Sequence, residues 1–285
     1  MPELPEVEII SQGLDKSLKG KSFSKIQILD KNRFIGNPNI LLNKKIKKVY
    51  RRAKLVIFEF EKDIYLLAHL KMTGQFIYID GKKKIAGGHI SPELVEKVPN
   101  KHTRIIFFIN KDQILYFNDL IRYSWLKIVN KKEIDNILKK EFGVEPLSEE
   151  FNIEVLKEII KKSKNSNIKR VLTDQKKIAG IGNIYSDEIL YNAGINPQRK
   201  AQSLTAQEIK RLFNSIKKVL LFAIEKEGSS IKNYVNSEGK RGTMQDYLKI
   251  YGKDGEKCKK CGSIIKKIKL NGRGTHFCPN CQPIK

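Results

Sequence analysis

The N-terminal segment Met1–Glu8 places an imino acid and several carboxylates where they could do covalent chemistry. Methionine aminopeptidases remove Met1 when a small residue such as Pro follows, which would leave Pro2 with a free secondary amine. Such an amine condenses with an aldehyde to an iminium ion, an electron sink that requires no metal and no organic cofactor. With a pKa of about 8, roughly a tenth of an α-amine is unprotonated at neutral pH. The same residues would also suit a helix start, because Pro5 fits the first helical position and Glu6 favours the positive end of the helix dipole.

The four cysteines occur as two Cys-x-x-Cys pairs separated by 16 residues, Cys258/Cys261 and Cys278/Cys281. This spacing is typical of tetrahedral Zn²⁺ coordination at the ends of a β-hairpin. Four thiolates complete the coordination sphere, so we predict one structural zinc ion that does not activate water. His276 is surplus and is predicted to pack as a polar side chain. The segment is also basic, which predicts that the hairpin lies along a phosphate backbone.

A glycine-containing turn, Ala179–Tyr185, follows the basic pair Lys169–Arg170. Glycines before a helix let backbone N–H groups approach an anion at the positive helix end. Turns between helices also contain glycine, so this motif is weak by itself. No strand pattern precedes it, which argues against a dinucleotide-binding fold.

The composition favours a polyanionic partner. The 285 residues contain 56 Lys and Arg against 31 Asp and Glu, a formal net charge of +25. A positive field attracts nucleic acid. Part of the lysine excess could instead reflect the codon usage of an AT-rich genome, with those lysines lying on a solvated surface. There is no signal-peptide pattern and no long apolar run. We therefore expect a soluble, cytoplasmic protein with no membrane partner and with reduced cysteines.

The residue patterns predict an α+β protein. Residues 5–20 have helical spacing of apolar side chains. Short β segments separated by polar turns follow, which predicts an antiparallel sandwich or barrel. The predicted strands are Ser22–Leu29, Ile46–Arg51, Leu55–Phe60, Ile64–Leu70, Gln75–Ile79, Arg104–Ile109, Gln113–Phe117 and Ser124–Val129. The stretch Asp80–Lys101, which contains Gly87 and Gly88, is predicted to be a mobile loop.

Helical patterns dominate beyond residue 150. We predict helices at 153–163, 183–193 and 205–227, the last opened by a Thr205-x-x-Glu208 capping box and closed by Gly228. The predicted domains are a β-sandwich at 1–130, a linker at 131–150, a helical domain at 151–250 and a zinc finger at 251–285.

Taken together, the motifs resemble those of the formamidopyrimidine-DNA glycosylase family of base-excision repair. The resemblance runs from Pro2 to Gln282. It is carried by Pro2–Glu8, by Arg51–Lys54 (Arg-Arg-Ala-Lys), by His69–Gly74 (His-Leu-x-Met-x-Gly), by the helix–two-turns–helix signature Gly180–Tyr185 and by Gly272–Cys281. The resemblance implies a helix-flanked β-sandwich joined to a helical domain, with DNA as the partner.

The implied activity is that of a bifunctional glycosylase and lyase acting as a monomer on double-stranded DNA that contains oxidised purines or abasic sites. The lesion would be flipped out of the duplex. Pro2 would attack the anomeric carbon, expel the base and hold the sugar as an iminium, which drives β,δ-elimination. Glu3 would shuttle protons, and Glu6 would position the sugar or the amine. Lys54 would lie near the scissile phosphate, although a solvated strand edge is the simpler interpretation of Arg51–Lys54 without the resemblance.

The implied DNA-binding residues lie in both halves of the chain. Lys169, Asn183 and Arg273 would bind phosphates around the flipped nucleotide, and His69 belongs to the matching motif. Met72 would fill the hole left in the duplex; without the resemblance it is an ordinary apolar hairpin residue. The segment Asn236–Thr243 would close over the damaged base.

One segment departs from the family pattern. Where the family usually has Asp-x-Arg-[Arg/Lys]-Phe-Gly, this chain has Asp119-Leu120-Ile121-Arg122-Tyr123-Ser124. Ile121 replaces the arginine that would contact the base opposite the lesion, and Tyr123 would be the aromatic wedge. We therefore predict weakened discrimination of the opposite base, unless Arg122 substitutes through a one-residue shift. Lys71, where the family usually has Gly or Arg, adds a charge beside Met72.

Three other functions stay open at this point. A non-catalytic damaged-DNA-binding paralogue would keep the zinc site and basic surface, but the intact Pro2, Glu3, Glu6 and Lys54 argue against it. An endonuclease VIII-like enzyme would act on oxidised pyrimidines, but it typically has Gly in place of Leu4. An RNA-binding zinc-ribbon protein would need an aromatic stacking platform that the sequence lacks.

Overall fold

The computed structural model describes residues 1–81, 83–89, 97–229, 234–235 and 242–284. The chain forms two compact units. The first comprises Met1–Lys139 and Ile224–Gln245, and the second comprises Lys140–Ala223 and Asp246–Lys285. Residues 224–245, which the sequence-based boundaries assign to the helical domain, therefore lie in the first unit. The functional boundaries at 130, 150 and 250 stay a prediction.

Helix α1, Leu4–Leu18, opens the first unit. Its apolar stripe is buried, as the helical spacing of Val7, Ile10 and Leu14 predicts. Pro5 lies in the first turn, where its missing N–H costs no helical hydrogen bond. The helix ends before Gly20, whose left-handed φ of 81° suits a glycine.

Two β-sheets follow, and most of their strands have nearly the predicted bounds. The strands of the first unit are β1 Lys25–Ile28, β2 Phe34–Ile35, β3 Ile46–Arg52, β4 Leu55–Phe60, β5 Ile64–His69, β6 Gly74–Asp80, β7 Lys83–His89, β8 Thr103–Phe108, β9 Gln113–Asp119, β10 Trp125–Asn130 and β11 Tyr234–Val235. One sheet has the order β1-β8-β9-β6-β7-β11, and the other β2-β10-β5-β4-β3. Neighbouring strands are antiparallel, except that β2 runs parallel to β10.

The two sheets share one hydrophobic core with α1, which confirms a sandwich. Phe58 of β4 contacts Phe76 of β6 across the layers, with ring centroids 5.4 Å apart. Phe23 similarly lies 4.8 Å from Phe107. Each of these rings is fully buried and contributes roughly 1.5–3 kcal/mol of transfer free energy.

The prediction of a loop across Asp80–Lys101 is wrong for Lys83–His89. These residues form strand β7, which pairs with β6 and β11. Their glycines concealed the strand, because glycine has low β-propensity. Gly87 packs under α1, where an added Cβ would lie 3.0 Å from the Ile10 side chain. Residues 82 and 90–96 of the predicted loop lie outside the described residues.

Helices dominate the second unit. The helices after the sandwich are α2 Lys131–Glu141, α3 Ile153–Lys162, α4 Ile168–Thr173, α5 Asn183–Ala193, α6 Ala206–Glu225 and α7 Met244–Tyr247. Helix α2 occupies part of the predicted linker. Only Ile134 of this helix is buried, so its polar sequence lacks the regular spacing of apolar residues that predicts a helix. The chain ends in a hairpin of β12 Lys266–Leu270 and β13 Arg273–Phe277.

The predicted capping box at the start of α6 is confirmed. The Thr205 N–H donates to the Glu208 carboxylate at 2.9 Å, and the Glu208 N–H donates to the Thr205 hydroxyl at 3.3 Å. Arg199 also donates to the same carboxylate at 2.6 Å. Within the part of the chain that the structure describes, no helix combines the length and apolarity needed to cross a bilayer.

Candidate active site and DNA-binding residues

The N-terminal site is buried. Pro2 is buried, and Glu3 and Glu6 are each only 3% exposed. One Glu6 oxygen accepts the Glu3 backbone N–H at 2.9 Å, and the other accepts the Ser229 backbone N–H at 2.9 Å. Both Glu6 oxygens accept backbone hydrogen bonds, which fits a positioning role. The Glu3 carboxylate in turn accepts the Glu6 backbone N–H in a capping box, and Glu3 stays the candidate proton shuttle.

Ser229 precedes the segment Asn236–Thr243, which is predicted to close over the base. The segment's residues 236–241 lie outside the described residues, whereas Gly242 and Thr243 are described. Ser229 pairs with Thr243, and the Met244 N–H donates to the Gly228 carbonyl at 3.0 Å. An added Cβ at Gly242 would lie 2.3 Å from two backbone oxygens. Ser229 and Thr243 are therefore held side by side, and Glu6 anchors Ser229.

Lys54 lies in the two-residue turn between β3 and β4 and is 5% exposed. Its neighbour Leu55 pairs with His69 at the end of β5. The His69 Nδ1 accepts the Lys71 N–H at 3.0 Å. Burial, together with the nearby charges of Lys71 and Lys54, lowers the pKa of His69 to about 3. His69 is therefore neutral, with its proton on Nε2, where it can donate to a phosphate oxygen.

An exposed apolar surface lies on the loops 71–73 and 120–123 of the same unit. Met72 is 43% exposed, Ile121 42% and Tyr123 65%. The Ile121 N–H donates to the Thr73 hydroxyl at 3.1 Å, which joins the two loops. Apolar side chains presented in this way are typical of a binding surface. We call Met72, Leu120, Ile121 and Tyr123 the apolar wedge.

Arg122 belongs to the second of these loops. It is exposed and has a left-handed φ of 57°. Its carbonyl accepts a hydrogen bond from the Arg33 guanidinium at 2.5 Å. Beneath the loop, the buried Asp119 carboxylate accepts the Thr73 hydroxyl and the Ser124 N–H. These contacts fix the backbone of the loop, and the Arg122 side chain lies at the surface.

In the second unit, the predicted phosphate ligands meet at the β12–β13 hairpin. The Asn183 amide, at the first residue of α5, donates to the Gly274 carbonyl at 3.0 Å, and Arg273 beside it is exposed. Lys169 differs, because its side chain is 3% exposed. Its ammonium donates to Asp187 at 2.6 Å and to Thr275 at 2.8 Å. The structure thus brings the three residues together but buries Lys169 under the hairpin.

The four cysteines converge, with all ligand atoms within 4.8 Å of one another. The Cys258 and Cys281 sulfurs are 3.9 Å apart, and those of Cys261 and Cys278 are 3.4 Å apart. Zn–S bonds of about 2.3 Å in a tetrahedron require sulfurs about 3.8 Å apart, so the thiols fit one structural Zn²⁺. Hydrogen bonds from Ser263 and Asn280 lower the pKa of Cys261 to about 5.

His276 is held by Asp187, whose carboxylate accepts the His276 N–H at 2.9 Å, which agrees with polar packing. Sequence reasoning missed three buried partners of the site, namely Ser229, Asp119 and Asp187. Each contacts a residue distant in the chain, as with Ser229 and Glu6, 223 positions apart. Of these three residues, only Asp119 was indicated by the sequence, because it begins the segment Asp119–Ser124 that departs from the family pattern.

A β-sandwich with a buried N-terminal carboxylate site, a helical unit and a four-cysteine module defines the class of helix–two-turns–helix DNA-repair proteins. Three family models match the chain. They describe the formamidopyrimidine-DNA glycosylase N-terminal domain over residues 1–125, the formamidopyrimidine-DNA glycosylase H2TH domain over 142–235, and a zinc finger found in FPG and IleRS over 255–284.

Whole relatives show the same family. The formamidopyrimidine-DNA glycosylase of Listeria monocytogenes serotype 4b is 38% identical, with 99% of this chain and 100% of the relative covered. That of Streptococcus pneumoniae serotype 4 is 37% identical, with 99% of each covered. A solved complex of the Lactococcus lactis Fpg with DNA containing an abasic site is 34% identical and superposes with a TM-score of 0.86 over 99% of this chain and 100% of that one. This chain therefore belongs to the formamidopyrimidine-DNA glycosylase family.

Proposed function

We propose that this protein is a DNA glycosylase and abasic-site lyase of base-excision repair that excises oxidised purines through the amine of Pro2. The observation that carries the proposal is the burial of Pro2 together with Glu3 and Glu6 at the start of α1. Two carboxylates are rarely buried without a functional or structural partner. Solved relatives from Lactococcus lactis hold DNA with an abasic site or with Fapy-dG, which supports this substrate class.

The chemistry begins with removal of Met1, which is 42% exposed. The free Pro2 nitrogen attacks the anomeric carbon of the damaged nucleotide, the bond to the base breaks, and the base leaves with a proton. The sugar ring opens to an iminium with Pro2, and loss of a proton from C2′ then drives elimination of the 3′ phosphate. A second elimination releases the 5′ phosphate. Glu3 is the group we assign to these proton transfers.

Lys54 and His69 supply the charge and the hydrogen bond next to this chemistry. Lys54 lies in the turn that leads into β4, and His69 ends the neighbouring strand β5. The Lys54 ammonium stabilises a phosphate oxygen electrostatically, and the neutral His69 donates from Nε2. In the second unit, we assign the binding of DNA phosphates to Asn183 and Arg273. Because Lys169 is paired with Asp187, we assign it to holding the hairpin that carries Arg273.

The apolar wedge is proposed to enter the duplex where the damaged nucleotide has been flipped out. Met72, Ile121 and Tyr123 present apolar surface that stacks on bases without hydrogen bonds. The structural zinc ion stabilises the hairpin fold. Because the substrate is chromosomal DNA, the proposed location is the bacterial cytosol, at the nucleoid.

Borohydride trapping on a duplex containing 8-oxoguanine tests the proposal. We expect a covalent protein–DNA adduct that peptide mass mapping locates at Pro2, because the free amine of Pro2 forms the reducible iminium. Intact mass in the same sample reports whether Met1 is removed. Arg52→Gln serves as a basic-residue control that should still form the adduct.

Other outcomes select the alternatives. Binding to the duplex without an adduct would identify a non-catalytic damaged-DNA-binding protein. An adduct on an oxidised-pyrimidine duplex at a rate well above that on 8-oxoguanine would identify an endonuclease VIII-like specificity.

A further inference from the structure

Helix α1 is fastened to strand β3 by two carboxylates of the same helix face. The Glu8 carboxylate accepts the Arg51 Nε–H at 2.8 Å, and the Asp15 carboxylate accepts the Val49 N–H at 2.6 Å. Glu8 and Asp15 are two helical turns apart, and Val49 and Arg51 point to one face of the strand. Both contacts join a carboxylate of α1 to β3, one through the Arg51 guanidinium and the other through a backbone N–H, and only Arg51 adjoins the turn that carries Lys54.

Arg51 makes a second contact that Val49 lacks. Its Nη1 donates to the Ala53 carbonyl at 3.2 Å, and its side chain is only 8% exposed. Ala53 is fully buried and has a φ of 54°. A non-glycine residue in the left-handed region is strained and persists only when its surroundings hold it. Arg51 thus holds the first residue of a two-residue turn whose second residue is Lys54.

We propose that Arg51, oriented by Glu8, is a positioning residue that fixes the Lys54 turn relative to the N-terminal segment carrying Pro2. The inference rests on the proposed function of Pro2 and Lys54. The planar guanidinium donates in two directions at once, to the Glu8 carboxylate on α1 and to the Ala53 carbonyl in the turn. A lysine at this position keeps the charge but cannot hold both acceptors in a fixed geometry.

The expected consequence is a loss of rate with little loss of binding. A displacement of about 1 Å in a catalytic group costs on the order of 100-fold in rate, and a loosened turn should cost part of this. We expect Arg51→Lys to release 8-oxoguanine about tenfold more slowly in single turnover, with less than about a twofold change in affinity for a duplex containing a tetrahydrofuran abasic-site analogue.

Asp15→Asn is the matched control. It weakens the other contact between α1 and β3, so it should lower the melting temperature about as much as Arg51→Lys while leaving base release within about twofold of the wild type. Equal losses of rate in the two variants would show that Arg51 acts only by docking the helix, and would overturn the proposal.

Ala53→Gly supplies a second, independent readout. Glycine adopts the left-handed conformation without strain, so the turn needs the Arg51 hydrogen bond less. We expect Ala53→Gly to have nearly wild-type activity alone and to restore the rate of Arg51→Lys several-fold. The absence of any rescue, or full activity of Arg51→Lys, would overturn the positioning role. A wild-type protein that neither releases base nor forms the borohydride adduct would instead overturn the proposed function.

Discussion

Within the apolar wedge, Ile121 stands where the family pattern has an arginine. It is 42% exposed, and its backbone N–H donates to the Thr73 hydroxyl. The group that it presents at the surface is therefore an apolar side chain with no hydrogen-bond donor or acceptor. A side chain that enters DNA in this way stacks but cannot distinguish the bases by their donors and acceptors. Weak discrimination of the opposite base follows from the proposed function.

Ile121→Arg tests this argument. We expect the wild type to release 8-oxoguanine opposite C and opposite A at rates within about threefold of each other, and Ile121→Arg to favour C about tenfold, because a well-placed arginine contact is worth about 1–3 kcal/mol. Single-turnover rates opposite C, A, G and T provide the measurement. Arg122→Ala is the companion variant: a wild-type preference for C that disappears in this variant would show that Arg122 replaces the missing arginine.

His69 links the active-site region to the pH dependence of stability. Its pKa is about 3 in the folded protein, because of burial and the nearby Lys71 and Lys54, against about 6.5 in the unfolded chain. As the pH falls below about 6.5, His69 binds a proton in the unfolded state but stays neutral in the folded state. The folded state therefore loses stability through this residue between about pH 6.5 and about pH 3.

His69→Gln removes this effect. From about pH 7 to about pH 5, we expect the free energy of unfolding to fall by about 2 kcal/mol more in the wild type than in His69→Gln. Urea unfolding at the two pH values measures the difference. Equal falls in the two proteins would show that His69 titrates with its ordinary pKa.

At the scale of elements, the Lys169–Asp187 pair connects helix α4 to α5 and to the β12–β13 hairpin. The Lys169 and Asp187 side chains are 3% and 0% exposed, and Asp187 also accepts the His276 backbone N–H. Removing the lysine would leave a buried carboxylate without its counter-ion, which typically costs about 3–5 kcal/mol.

Lys169→Met therefore separates a structural role from a phosphate contact. We expect a stability loss of about 3 kcal/mol by denaturant unfolding and an unchanged slope of log K against log salt for DNA binding. A stable variant whose slope falls by about one would instead identify Lys169 as a direct phosphate ligand. Thr173→Val, which loses only the two hydrogen bonds of the hydroxyl within α4, controls for general weakening of this helix.

Local patterns predicted those elements whose determinants lie close in the sequence. The strand Leu55–Phe60 and the Thr205–Glu208 capping box have the predicted positions, and the two Cys-x-x-Cys pairs converge as their spacing indicates. Strand β7 was missed because Gly87 is required by packing against Ile10, which no local pattern contains. For the same reason, the partners of Glu6 and Lys169 emerged only from the structure, since tertiary packing selects them.

At the scale of the whole molecule, the positive charge and the buried site contribute to DNA recognition in different ways. The net charge of +25 attracts any duplex, because phosphate contacts carry no sequence information. The buried Glu3 and Glu6 supply only two of the 31 acidic side chains that enter this net charge. Under the proposed function, selectivity for damage comes from the groups that contact the flipped nucleotide and the gap it leaves.

This difference predicts how salt acts on binding. Between about 50 and about 200 mM salt, we expect affinity for undamaged duplex and for a duplex with a tetrahydrofuran site to fall with the same log–log slope, so that their ratio stays constant. Arg273→Gln should reduce both slopes by about one, because Arg273 is exposed at the start of β13, whereas Lys62→Gln in the β4–β5 turn should change neither. Fluorescence anisotropy titrations measure the slopes. A steeper slope for the damaged duplex alone would show that lesion binding recruits phosphate contacts that undamaged DNA does not make, and would place part of the selectivity in the basic surface.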